Sequence, residues 1–148
     1  MLSTIKTPCI GVCSTGIGDS VCRGCKRFAH EVINWNGYSE AERSSILSRI
    51  ESLLTQVVQE RLEVVDVDAL KHSLLEQKVR CNLDMNRYYL AYEAIRTFGN
   101  TLPGLDAIGC ELKSDWRTCS IQQFKSAVDE AFYELSCAHY QRYFPGHM

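Results

Sequence analysis

Four cysteines fall within seventeen residues near the N-terminus, in the stretch PCIGVCSTGIGDSVCRGCKR, with the spacing Cys9-x3-Cys13-x8-Cys22-x2-Cys25. Two close pairs joined by a short glycine-bearing loop can bring four sulfurs to the corners of a tetrahedron, and the glycines let backbone amides approach those sulfurs. The ligand is the thiolate. Cys22 and Cys25 lie at the predicted start of the first helix, whose unpaired N–H groups and positive dipole end favour the charged form. Arg23, Lys26 and Arg27 act in the same sense, because four thiolates around Zn2+ or a doubly charged cluster core leave a centre of about −2. Two disulfides suit an oxidising compartment, and ordinary buried cysteines scatter singly in apolar runs. A thioredoxin-like use of Cys22-Arg-Gly-Cys25 lacks the βαβ surroundings that motif needs. Zinc and iron–sulfur both accept four thiolates. The spacing fits neither common ferredoxin pattern and leans to zinc, so both stay open.

The remaining candidates are weaker. Cys81, Cys110, Cys119 and Cys137 are separated by 28, 8 and 17 residues and read as core or half-buried thiols. Cys137-Ala-His139 is a two-ligand fragment at most. His30, His72, His139 and His147 occur singly, with no carboxylate at the spacing of a zinc hydrolase. TGIGDS holds a glycine pair but neither the lysine nor the strand-to-helix context of a phosphate loop. No catalytic constellation is assembled, and the chain reads as a non-enzyme. Arg27 is a candidate donor to a ligand sulfur, with Glu31 one helical turn on to hold it. Trp35 reads as a packing plug, and the tyrosines of the C-terminal half as the rim of a small helical core.

The cysteines need elements to hold them. Residues 1–25 show neither helical nor strand periodicity and read as a loop held by something other than a core. From Lys26, Phe28, Val32 and Trp35 mark one face of a short helix ending near Gly37. Ser39 and Glu42 form a capping box for a long helix over about 40–63, with Ile46, Leu47, Ile50, Leu53, Leu54, Val57 and Leu62 along its stripe. Asp66 or Asp68 caps a third helix running toward Cys81, with Leu70 and Leu74 on one side, and Asp84 a fourth that carries Tyr88, Tyr92 and Ile95 and ends at Gly99. Residues 100–118 read as an irregular connection. Ser120 and Gln123 make a second capping box for a last helix whose face is Phe124, Val128, Ala131, Leu135 and His139. No stretch alternates convincingly enough to be a strand. The expected fold is all-α, four to five helices behind an irregular four-cysteine metal-binding loop.

At 148 residues, 45% hydrophobic and 23% charged, the chain can bury a real core. Residues 1–50 read as a metal-binding module of loop, short helix and the start of the long helix. Residues 51–148 read as an α-helical domain of unknown function, with a core shared between the two as the alternative. A net charge of −2 gives no global field for nucleic acid. No apolar run approaches the ~20 residues of a membrane span, and the N-terminus lacks a signal-peptide core, so a cytoplasmic protein with no membrane association is expected.

PCIGVC, CRGCKR, EVINW and SEAER together resemble an uncharacterised bacterial family of small predicted iron–sulfur proteins with the signature PCxxxC, CxGCxR, ExxxW and SxxER, over residues 7–50. The resemblance implies Cys9, Cys13, Cys22 and Cys25 as ligands of an iron–sulfur centre. Gly24, Arg27, Glu31, Trp35, Glu42 and Arg43 match the signature without an assigned chemical role. Three functions follow in order of expectation. The first is a non-catalytic metal-binding protein acting as a redox-responsive or assembly-linked module with a protein partner. The second is a zinc-stabilised adaptor binding protein or RNA through Arg23, Lys26, Arg27 and the tyrosine-bearing helices. The last is an electron-transfer or iron–sulfur enzyme component.

Overall fold

The computed structural model describes Pro8, Ser14, Thr15 and residues 18–144. Within these residues the chain is predominantly helical, with five α-helices and one two-stranded antiparallel sheet. Two compact units divide it: residues up to Leu53 together with those from Ala131 on, and Leu54–Glu130.

In the first unit, α1 (Ala29–Asn34) follows Phe28, whose backbone is extended. Phenylalanine offers no acceptor for a cap, so only half of a capping arrangement forms: the Glu31 carboxylate accepts from the Phe28 amide at 2.8 Å. A 3-10 turn, Trp35–Gly37, leads to α2 (Glu40–Gln59). Here the expected box is complete, Glu42 N–H to Ser39 Oγ at 3.1 Å and Ser39 N–H to Glu42 Oε1 at 3.0 Å. Ile46, Ile50 and Leu53 are buried along this part of α2.

The second half of α5 (Ile121–Tyr143) belongs to the same unit. The α5 capping box is present, with Gln123 N–H to Ser120 Oγ at 3.1 Å and Ser120 N–H to Gln123 Oε1 at 2.9 Å. Its buried positions are Phe124, Val128, Phe132, Ser136 and Tyr140, in place of the expected Ala131, Leu135 and His139. An i+4 row precesses by about 40° per step at 3.6 residues per turn, so the buried face winds along a helix whose ends serve different units. Ser136 is tolerated there because its hydroxyl donates to the Phe132 carbonyl at 2.8 Å. Tyr140 joins Val21 and Phe28 in a buried cluster, covered by Tyr133, Cys137 and Phe144. The Phe28 and Tyr140 rings meet edge-on, centroids 5.1 Å apart. The residues before α1 thus do own a piece of core: Val21, Cys22 and Cys25 are all buried.

The second unit departs more from expectation. α2 stops at Gln59, and Leu62 belongs to a strand: β1 (Leu62–Val64) pairs with β2 (Cys110–Leu112) in the register Leu62↔Leu112, Glu63↔Glu111, Val64↔Cys110. Three residues are too few for alternation to stand out in a sequence. α3 (Val67–Glu76) is capped by Asp66, which accepts from the Ala69 amide at 3.1 Å. It ends before Cys81 because Lys78 turns left-handed (φ 57°), and the Lys78 and Val79 amides close back on the Leu75 and Leu74 carbonyls, each at 3.0 Å. That closure usually uses glycine. α4 (Arg87–Phe98) is capped by Asn86, whose Oδ1 accepts from the Tyr88 amide at 2.8 Å. Asp84 sits in the preceding turn instead, its amide donating to Asn82 Oδ1 at 2.9 Å. The connection after α4 holds 3-10 turns at Leu105–Ile108 and Ser114–Trp116 on either side of β2. Between them Gly109 has φ 71°, and a Cβ there would lie 2.3 Å from the Asp66 carbonyl oxygen. Its own carbonyl accepts from the Val65 and Asp66 amides at 2.8 and 3.1 Å, joining β2 to the start of α3. Among the described residues no helix is long and apolar enough to cross a membrane.

Candidate metal centre

Residues 20–29 form a tight hairpin. Val21 and Phe28 bridge across it, the Cys22 amide donates to the Arg27 carbonyl at 2.9 Å, the Lys26 amide to the Cys22 carbonyl at 2.9 Å, and the Ala29 amide to the Ser20 carbonyl at 2.8 Å. Cys22 and Cys25 occupy its tip. The turn requires a left-handed residue directly after Cys25, and that residue is Lys26 (φ 66°), a conformation disfavoured by about 1–2 kcal/mol for an L side chain. The same turn folds the lysine ammonium back onto the carbonyls of Arg23 (2.5 Å) and Gly24 (3.1 Å) and sets it 5.1 Å from the centre of the Phe132 ring. Ser14 ties the tip from outside, its Oγ accepting from the Arg23 amide at 2.9 Å.

This geometry acts on the sulfurs. Burial pushes the Cys22 thiol up, but the amides of Cys25, Ser14 and Gly24, with the Cys25 thiol, outweigh it and hold the pKa at about 7. At Cys25 burial wins and the thiol is raised, although Arg27 Nε donates to Cys25 Sγ at 3.2 Å and pulls the other way.

Behind the tip stands a cationic and aromatic frame. The Arg27 guanidinium lies 4.9 Å over the Trp35 ring. Arg43 faces the same ring at 5.8 Å and donates to the carbonyls of Trp35 (3.0 Å) and Asn36 (3.1 Å), capping the end of the short helical segment. Glu31 was expected to hold Arg27 at i, i+4; it is taken instead by Arg49 in a two-pronged pair at 2.7 Å on each prong, with the Arg49 guanidinium 4.0 Å over the Phe28 ring. Arg27 is left to the sulfur. Trp35 is buried, as a packing plug should be. Arg23 alone of the three cations near the cysteines is exposed, pairing with Asp19 at 3.4 Å and stacking on Tyr133 at 4.4 Å.

Of the four proposed ligands, Cys22 and Cys25 are brought together, and Cys9 and Cys13 lie outside the described residues, as does His147. Among the described residues no group of three or more His, Cys, Asp or Glu is placed to hold a metal ion, and no disulfide joins two of the six described cysteines. Cys81 is half-buried, and burial with the nearby Glu93 charge raises its thiol. Cys110 and Cys119 line a cavity of about 640 Å³ in the second unit; burial pushes Cys110 up to about 12, an unreactive thiol. Cys137 packs on the Val21 cluster beside Tyr133, whose hydroxyl burial pushes up to about 12.

Sequence reasoning missed Arg49 and the aromatic cover supplied by α5. A signal for Arg49 was present. It lies three residues after Ile46 and four before Leu53, within the apolar stripe, where a cation needs a buried anion. No curated protein and no solved structure matches the chain. The segment carrying the cysteines and their frame, residues 7–54, matches the model of a protein family of unknown function, DUF1289.

Proposed function

We propose that Cys9, Cys13, Cys22 and Cys25 hold one inorganic centre through four thiolates, and that the protein works as a metal-binding module with no catalytic step of its own. One observation carries this reading: Cys22 and Cys25 share the tip of one hairpin, where Arg27 Nε donates to Cys25 Sγ at 3.2 Å. A neutral thiol is a weak acceptor, whereas a thiolate takes charge-assisted bonds of this kind. The soft donor set fits zinc or an iron–sulfur cluster. Zinc would supply a redox-inert tie, and a cluster a tie that oxidation can break.

Metal binding and folding are then one equilibrium. With the centre in place, the hairpin rests on the Val21–Phe28–Tyr140 cluster. Loss or oxidation of the thiolates frees it and exposes that aromatic surface to a protein partner. A phosphate-binding role is less well supported, because Lys26 and Arg27 are interior and only Arg23 faces solvent.

The test is anaerobic purification of the full chain, with metal and acid-labile sulfide analysis and visible spectra before and after dithionite. One centre per chain is expected, absent in the Cys9→Ser and Cys22→Ser variants. Sulfide with an absorbance that dithionite bleaches assigns a cluster, and a colourless protein with one zinc assigns the adaptor. A folded chain that holds no metal, or one whose metal survives both substitutions, would refute the proposal.

A further inference from the structure

The cavity of about 640 Å³ in the second unit is lined by residues between Ile95 and Phe124 and takes no part in the cysteine centre. Ile95 and Phe124 are buried beneath it, while Leu102, Leu105, Leu112 and Ile121 are left half-buried around it. Four branched aliphatic side chains, brought together from the connection after α4, from β2 and from α5, thus turn apolar surface toward one hollow. Its volume is that of a small-molecule site.

Two exposed side chains of opposite charge also line the cavity, Asp106 next to Leu105, and Arg117 shortly before the α5 cap Ser120. They do not pair with each other, and among the described residues neither has an ion-pair partner. Glu111 reaches the lining from β2, but a strand that turns Cys110 and Leu112 inward sends the side chain between them to the other face, where Glu63 lies opposite. The cavity is therefore left with one unpaired charge of each sign. An apolar anion would bring a like charge to Asp106. An apolar cation would do the same to Arg117, beside the positive end of α5. A zwitterion meets both charges, and an apolar body on it covers the aliphatic walls.

We propose that this cavity binds a small zwitterion with an apolar body, the chemistry shared by free amino acids of the leucine type and by short apolar peptides. The ammonium group faces Asp106, the carboxylate faces Arg117, and the branched side chains rest on Leu102, Leu105, Leu112 and Ile121. The site goes beyond the metal-binding reading and does not depend on it.

The experiment is calorimetric titration of the full chain with L-leucyl-L-leucine, its N-acetyl derivative, its C-terminal amide, glycylglycine and L-leucine. A dissociation constant at or below about 1 mM is expected for the leucine dipeptide. Glycylglycine has both charges without the apolar body and should bind at least about tenfold more weakly. The acetylated and amidated dipeptides, each short of one charge, should lose roughly fivefold, the upper range for ion pairs at an exposed rim. R117Q should abolish the penalty of the amide alone, and D106N that of the acetylated form alone. Both side chains are exposed, so both variants should melt with wild type. Whichever of leucine and the dipeptide binds more tightly assigns the source as free amino acid or peptide. Absence of binding by both, an acetylated or amidated form as tight as the parent dipeptide, or penalties unchanged in both variants would overturn the proposal.

Discussion

Arg49→Met tests whether the buried ion pair behind the hairpin is structural. Arg49 Nη1 and Nη2 meet Glu31 Oε2 and Oε1 at 2.7 Å each, with the two side chains 21% and 7% exposed. Methionine keeps an unbranched stem to lie over Phe28 and removes both donors, leaving the Glu31 carboxylate with the Phe28 amide alone. Charge-assisted bonds contribute about 1.5–3 kcal/mol each, and breaking one side of a buried pair typically costs about 3–5 kcal/mol. Arg49 retains some contact with water, which places the expected loss at the lower end, about 3 kcal/mol. For a chain of this length that is roughly 6–12 °C in melting temperature. Urea unfolding followed by Trp35 fluorescence reads it, in a Trp116→Phe background so that the signal comes from the first unit. Glu31→Gln combined with Arg49→Met removes both charges and should recover at least half of the loss, since Gln still accepts from the Phe28 amide. A single variant within about 0.5 kcal/mol of wild type, or a double variant no better than the single, would show that the pair is a solvated one and that the reasoning is wrong.

Gly109→Ala should destabilise the second unit by about 3 kcal/mol, because the left-handed backbone disfavours alanine and the new Cβ would meet the Asp66 carbonyl at 2.3 Å; unchanged hydrogen exchange at the Val65 and Asp66 amides would contradict this. The Glu42 carboxyl is held below its ordinary 4.5 by the Ser39 amide and hydroxyl. Its folded value is the depressed one, so its stabilising contribution is complete above that ordinary value and is lost as pH falls through the lower folded value. The melting difference between wild type and E42Q should therefore shrink on acidification, and a difference constant from pH 7 to pH 3 would sink the assignment. A fragment of residues 1–63 lacks Phe132, Tyr133, Tyr140 and Phe144 and should aggregate or bind Co2+ only weakly; full affinity in a monomeric fragment would mean that α5 is dispensable for the hairpin.

Legibility in the sequence followed the range of the interaction. Both capping boxes were readable, because Ser39/Glu42 and Ser120/Gln123 are three residues apart and each satisfies two amides locally. The helical character followed from periodicity. Helix ends read less well: Lys78 closes α3 in a left-handed conformation that composition assigns to glycine, and Asn86 caps α4 where Asp84, two residues earlier, offered the same chemistry. The strands were invisible, since three-residue pairing across nearly fifty residues is decided by packing. At the candidate centre, the donor from Arg27 to a cysteine sulfur was legible from spacing. Its freedom from Glu31 was not, because that depends on Arg49, eighteen residues from Glu31 and on another helix.

The proposal assigns chemistry only to the four cysteines, so the other residues of the PCxxxC, CxGCxR, ExxxW, SxxER signature need a separate physical reason. The contacts supply one. Gly24 gives a carbonyl to the Lys26 ammonium. Arg27 reaches Cys25 and lies on Trp35, and Arg43 holds the Trp35 carbonyl from the first turns of α2. Glu31 fixes the start of α1 through the Phe28 amide and is itself held from α2 by Arg49. Two chains of contact, Cys25–Arg27–Trp35–Arg43 and Phe28–Glu31–Arg49, thus tether the hairpin to one long helix. Neither chain adds a ligand. Both fix where Arg27 stands relative to the Cys25 sulfur, so on the four-thiolate proposal changes at Trp35, Arg43 or Arg49 should act on metal affinity while leaving the number of ions bound unchanged.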